Sequence, residues 1–272
     1  MAGGGSSTRA RGSRRRSPDG EGWLYGVHPV VEALRAGRRR LVRLWLREGG
    51  TRSEDRQLAG LAEQAGLPVE WVDRAEMEAR VGSDVVTQGV LLEAGPLPEL
   101  SLGELLEHAR TRGPGRRLVA LDGVEDPQNV GAIARVAEAS GALGLILTDR
   151  RAPPLSAAVA KSSAGAIEWL RVARVPNLAR ALGSAQKEGY WTVAAAPGEG
   201  ESLFEVEDRR LTGDLVVVLG AEGRGLRRGI LELADHPIWL PMPGAVDSLN
   251  VATAGAVILY DLLRRADEAA RD

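Results

Sequence analysis

Five short apolar runs punctuate the second half of the chain: LVALDGV (118–124), LGLILTD (143–149), YWTVAAA (190–196), LVVVLGAE (215–222) and HPIWLPM (236–242). Runs of this length without polar alternation predict strands covered on both faces, as in a parallel sheet with helices on each side. Helical spacing fills the gaps near 130–140, 156–165, 176–188 and 226–234, and a longer helix is predicted near 249–265. Alternation of strand and helix predicts an α/β fold.

The front of the chain reads as a smaller α/β unit. Helices are predicted near 28–36, 54–65 and 73–82, with strands near 41–47, 67–72 and 85–94. Gly66 follows the second helix as a plausible left-handed terminator. On the strand LVRLWLR, Leu44 and Leu46 share one face, while Arg43, Trp45 and Arg47 share the other. Pro96 and Pro98 then break regular structure. Residues 96–117 hold the short helix LGELLEHAR and the turn-rich Gly113-Pro114-Gly115, and read as a linker. The expected organisation is a disordered basic tail (1–21), a small α/β unit (22–95), the linker (96–117) and a larger α/β unit (118–272).

Composition narrows the chemistry. No cysteine occurs, which excludes disulfides, thiolate zinc sites and cysteine nucleophiles. The three histidines, His28, His108 and His236, are far apart, so no metal site is expected. No apolar run approaches the roughly 18 residues of a membrane span, and the start has no apolar signal region. A cytoplasmic protein without a membrane partner is expected.

The net charge of -2 conceals an uneven distribution. Residues 1–18 carry five arginines and no acid, and the other 254 residues carry 30 basic and 37 acidic groups. A second cluster, Arg35, Arg38, Arg39, Arg40, Arg43 and Arg47, has no acid within it. A basic arm on RNA phosphates and a solvated tail are both open readings of the start, with an organelle transit segment a third. For the second cluster, RNA contact through Arg38, Arg39, Arg40 and Arg43 stands against a solvated strand face.

Three loops follow predicted strands, where open α/β sheets place ligand sites. In DGVEDPQNVGAIAR (122–135), Asn129 is placed to cap a helix starting at Val130. Gly131 permits close backbone approach, and Arg135 lies one turn on. Together they suggest an anion site, with capping and a surface salt bridge as the alternatives. In LGAEGRGLRRGI (219–230), Gly220, Gly223 and Gly225 make a flexible loop that is neither GxGxxG nor a P-loop. Glu222 there suits a cation, a hydroxyl or simple helix N-terminal electrostatics. In the third loop Pro241 and Pro243 exclude regular structure, and Ser248 or Asn250 is placed to cap the last helix.

Taken together, NxGxxxR (Asn129, Gly131, Arg135), LGxExxG (Leu219, Gly220, Glu222, Gly225) and PMxGxxxSLNVA (Pro241, Met242, Gly244, Ser248 to Ala252) resemble, in order and separation, the three motifs of the SpoU/TrmH group of SPOUT RNA ribose 2'-O-methyltransferases. The segment KSSAGAIEWLRVARVPNLARAL resembles that family's middle region, and the match covers about residues 118–265. The front unit resembles the family's L30e-like RNA-binding domain, as in the branch acting on guanosine of bacterial 23S rRNA. Thr87 departs from the histidine that relatives often carry there.

The resemblance implies a parallel sheet with a deep trefoil knot near the C-terminus. It implies S-adenosylmethionine held by Leu219, Gly220, Leu240, Met242, Ser248 and Leu249, largely through main-chain groups. It implies a homodimer through the C-terminal domain. Arg135, Asn129, Glu222, Ser248 and Asn250 are the implied catalytic set, with Asp122 and Asp126 in support. Arginine is a poor general base, so Arg135 is expected to hold a phosphate and polarise the 2'-oxygen, with proton removal by a deprotonated Arg135 left open. A tRNA methyltransferase of the same family and a non-catalytic ribosome-assembly factor are the rival readings.

Overall fold

The computed structural model describes residues 22–49 and 53–271. The basic tail expected over 1–21 lies outside the described residues.

The front unit is a four-stranded sheet of β1 (Trp23–Tyr25), β2 (Leu41–Arg47), β3 (Val69–Val72) and β4 (Val90–Ala94), in the order β1-β4-β2-β3. Strand β4 runs antiparallel to β1 and β2, and β3 runs parallel to β2. The helices are α1 (Val27–Ala36), α2 (Ser53–Gln64) and α3 (Arg74–Val81). Helix α1 stops at Gly37, whose φ of 59° is the left-handed turn that glycine adopts without strain. Asp73 caps α3 by accepting from Glu76 N at 2.8 Å.

Leu44 and Leu46 pack with Val30, Leu34 and Leu58 in the main core. The opposite strand face is not solvated as one sequence alternative had it. Trp45 is buried there with Trp23, Val72, Met77 and Leu91. Glu70 accepts from Trp45 Nε1 at 2.8 Å and pairs with Arg43, whose guanidinium lies over the Trp45 ring. Arg43 is thus already partnered.

The larger unit contains α4 (Leu102–Arg110), β5 (Arg117–Asp122), α5 (Pro127–Ala139), β6 (Gly144–Thr148), α6 (Ala157–Ser162), β7 (Arg171–Val175), α7 (Leu178–Lys187), β8 (Trp191–Ala195), β9 (Glu201–Ser202), β10 (Leu215–Gly220), α8 (Arg228–Leu231), β11 (His236–Trp239) and α9 (Val251–Ala269). The strand order is β7-β6-β5-β10-β8-β11-β9, and every pairing is parallel. Alternate residues point to opposite faces. Val119, Leu121, Val217 and Leu219 join one core with residues of α5 and α9. Leu118, Ala120, Val216 and Val218 join the other with residues of α4 and α7. This two-sided burial is what the unbroken apolar runs require.

Three strands went unforeseen: β1, β7 and β9. Helix α4, read as part of a linker, is packed on the second face of the sheet with Leu105 and Ala109 fully buried. It sits so close to β6 that a Cβ on Gly144 would lie 2.6 Å from Leu105 Cδ1.

Side chains of the basic cluster join the two units. Arg39 is buried and donates from Nε to both carboxylate oxygens of Glu168 at 2.9 Å, where Glu168 is fully buried. Arg38 donates from Nη1 to Glu168 O at 2.9 Å. Burial, then the neighbouring Arg171, lowers its pKa to about 10, so it stays charged at neutral pH. Lys161 donates to Val86 O at 3.2 Å, and Trp169 Nε1 donates to Glu32 at 2.8 Å. The expectation that Arg38 and Arg39 contact RNA is therefore corrected. Their donors hold the junction, because a buried guanidinium needs a partner and Glu168 supplies it.

Candidate active site

The three motif loops meet over the carboxyl ends of the strands. Helix α5 starts earlier than the sequence suggested. Asp126 is its cap, accepting from Gln128 N at 3.0 Å, and Pro127 takes the first helical position. Asn129 is therefore not the cap but a residue of the first turn, with its side chain free for other work.

That work is a link to the third motif. Asn250 Nδ2 donates to Asn129 Oδ1 at 2.9 Å and also to Glu222 Oε1. The other end of the same amide caps α9, with Asn250 Oδ1 accepting from Ala252 N at 2.9 Å and Thr253 N at 3.3 Å. One side chain thus ties together residues 121 and 28 positions away in sequence. Ser248 stands outside this link and donates from Oγ to Asp247 at 3.2 Å.

The second motif loop is pinned from below. Asp122, at the end of β5, is buried and accepts from Arg227 N at 2.9 Å and Arg227 Nε at 2.7 Å. Gly220 leaves no room for a side chain, since a Cβ there would overlap the main chain of Gly225 and lie 2.5 Å from Leu226 N. The loop folds back on its own strand at that point.

A cavity of about 800 Å³ opens beside this loop. Leu219, Gly220, Leu240, Met242, Ser248 and Leu249 all line it. Ile238, Val251 and Ile258 give it an apolar floor, and Glu222 and Asn250 stand in its wall. Its size lies within the roughly 300–1,000 Å³ of small-molecule pockets.

Arg135 is exposed on α5, lines neither this cavity nor the smaller one beside it, and has no hydrogen-bond or ion-pair partner among the described residues. Gly131 serves a different purpose from ligand approach. A Cβ there would overlap Ser162 Oγ and lie 2.8 Å from Val159 O, so the glycine admits α6. Asp122 was expected in support, but its partner Arg227 was missed in sequence. Their pairing spans 105 positions, and only the shared loop ends at β5 and β10 hinted at it. Among the described residues no group of three or more His, Cys, Asp or Glu side chains is arranged to hold a metal ion.

A sheet covered on both faces, with a cavity over its strand ends walled by Glu222 and Asn250 and with Asn129 hydrogen-bonded to that wall, defines an α/β protein with a small-molecule-sized pocket beside a polar cluster. Residues 116–260 match the SpoU rRNA methylase family, and residues 23–100 match the family described as RNA 2'-O ribose methyltransferase substrate binding. The chain belongs to the SpoU rRNA methylase family. It is 41% identical over 245 residues to the 23S rRNA (guanosine-2'-O-)-methyltransferase RlmB of Pseudomonas putida, covering 89% of this chain and 96% of the relative. The RlmB of Pseudomonas syringae is 40% identical over 245 residues, covering 89% and 95%. Among solved structures, the SpoU methyltransferase AviRb of Streptomyces viridochromogenes in complex with AdoMet shares the fold, with a TM-score of 0.75, 22% identity and 92% of each chain covered. The AdoMet-bound rRNA methyltransferase of Sinorhizobium meliloti gives a TM-score of 0.72 at 24% identity, covering 89% and 86%.

Proposed function

We propose that this protein transfers a methyl group from S-adenosylmethionine to the ribose 2'-hydroxyl of a guanosine in 23S rRNA. The observation that carries this reading is the convergence of all three motifs on the Asn250 amide, at the wall of a cavity lined by every residue expected to hold the cofactor. The activity that the names of its relatives state supports the same substrate.

The residues present fit the cofactor. The apolar floor suits its uncharged parts, and the main chain of Gly220, Leu240 and Leu249 is available for its polar edges. When bound, S-adenosylmethionine supplies an activated sulfonium methyl. What remains for the protein is alignment and removal of the 2'-proton. Asn250 donates to both Asn129 and Glu222 beside the cavity, and these position the nucleotide. Arginine is a poor general base, so Arg135 is given the role of holding a phosphate and polarising the 2'-oxygen.

The finer organisation is part of this proposal. Residues 22–95 form an L30e-like RNA-binding domain and 118–272 the SPOUT catalytic domain, a division supported by the two family matches. Exposed Arg40 joins the RNA surface, with Arg43 at its edge. The segment after β11 closes a trefoil knot, in line with its return to the β10 loop at the shared cavity. Two protomers pair through the C-terminal domain, and exposed Val257 and Tyr260, on one face of α9, support that surface. The protein acts in the cytoplasm; no described helix is long and apolar enough to cross a membrane.

Arg135→Ala tests the assignment. It abolishes methyl transfer while calorimetry still detects S-adenosylmethionine binding. Retained turnover defeats the role given to Arg135.

A further inference from the structure

A second cavity, of about 280 Å³, adjoins the first. It lies between the loops that follow β5 and β10, and Arg151 reaches it from the loop after β6. Ala221, Glu222, Arg224 and Gly225 line both cavities, so the β10 loop is the wall between them. Asn129 lines the smaller one as well. Its volume is near the lower end of small-molecule pockets, roughly 300 Å³, which suits a single nucleoside unit.

The charged groups around it divide into two sets. Asp122 is paired with Arg227, Asp126 caps α5, and Glu222 accepts from Asn250. Arg151, Arg224 and Glu125 have no hydrogen-bond or ion-pair partner among the described residues. Among the described residues, Arg151 is also one of three non-glycine residues with a left-handed backbone, at φ 63°. A side chain there strains the loop where glycine would not, and such strain persists where the surrounding structure or a function holds it.

From the shared wall, the unpartnered guanidinium groups and the strained position, we infer that the smaller cavity is the acceptor-nucleotide subsite. Arg151 and Arg224 hold the phosphates that flank the target ribose. This rests on the methyltransferase reading above. Two planar guanidinium forks match phosphate oxygens in a bidentate way. Phosphates held there set the ribose against the β10 loop, beside the cavity that takes the methyl donor. Arg151 is a substrate-binding and positioning residue.

The test uses the full chain and a 23S rRNA fragment, with Arg151→Gly and Arg151→Lys. Glycine removes the side chain and accepts the left-handed backbone, so Arg151→Gly keeps or raises the melting temperature. Its RNA affinity falls roughly tenfold, and the slope of log affinity against log salt becomes shallower by about 0.7–0.9. Binding of S-adenosylmethionine is unchanged. Arg151→Lys keeps the salt slope and loses part of kcat/KM, because an ammonium cannot fork. Arg151→Gly with the parent's RNA affinity, salt slope and kcat/KM overturns the inference. If the parent itself methylates no ribose, the proposed function fails instead, and the salt slope still decides whether Arg151 binds a phosphate.

Discussion

Asn250 carries two duties on one side chain, and two substitutions separate them. Asn250→Ala removes the cap of α9, about 1 kcal/mol. It also removes two hydrogen bonds at an exposed position, each worth about 0.5 kcal/mol at the low end of the usual range. The total is about 2 kcal/mol, and for a chain of this size that lowers the melting temperature by roughly 4–8 °C. Asn250→Asp keeps the acceptor that caps α9, since Asp and Asn cap equally well. It loses the donor to Asn129 and faces the Glu222 carboxylate with a second one. Its melting temperature falls by at least about half as much as that of the alanine variant, since the two hydrogen bonds are lost and the facing carboxylates repel. Both variants free Asn129 and Glu222, and loss of alignment on this scale reduces turnover by about 100-fold. Scanning calorimetry with a labelled-methyl transfer assay reads both effects. An Asn250→Asp enzyme within about twofold of the parent's turnover would show that Asn250 is a helix cap and nothing more.

Three further outcomes follow from the packing and charges. Glu168→Ala leaves Arg39 buried without its carboxylate, so urea denaturation shows a loss of about 3–5 kcal/mol; a loss below about 1 kcal/mol would mean that the junction is solvated. Gly131→Ala pushes a methyl group into Ser162 and costs about 1–3 kcal/mol by the same assay, whereas an open helix surface there would show no loss. His236 is held below 6.5 by burial and then by Arg210. A lowered histidine pKa means that the unfolded chain binds more protons once the pH drops below about 6.5. This group's contribution is thus present above that pH and is lost as pH falls through the lower folded value. His236→Gln consequently flattens the decline in melting temperature between about pH 7 and pH 5; an unaltered decline contradicts the shift.

Much of this molecule could be read from local pattern. The apolar runs of the central strands mark a doubly covered sheet because burial on both faces leaves no polar alternation. Strand β7 escaped because Arg171 and Arg174 interrupt its run, and β9 because two residues carry no period. The motif loops could be read because cap and loop chemistry is local. Even so, Asp126-Pro127 was the truer helix start, since proline is pre-set for the first helical position.

The basic cluster could not be read in the same way. An arginine run without nearby acids looks free, but Arg39 finds Glu168 from 129 positions away and Arg43 finds Glu70 from 27. Charge that is unpaired in sequence need not be unpaired in space. Gly131 misled for the same reason, because the backbone that approaches it belongs to α6 and not to a ligand. Of the positive groups left open around the site, Arg135 and Arg224 have no basic neighbour directly beside them in sequence and Arg151 only Arg150, so none belongs to a run that would mark it.

The central claim is transfer to a ribose oxygen. Its most direct measurement incubates the purified protein with methyl-labelled S-adenosylmethionine and unmodified 23S rRNA, then digests the RNA and identifies the labelled nucleoside by mass spectrometry. A single labelled product, 2'-O-methylguanosine, is expected, and it disappears with Arg135→Ala. Label on a base, or on tRNA and not on 23S rRNA, would contradict it.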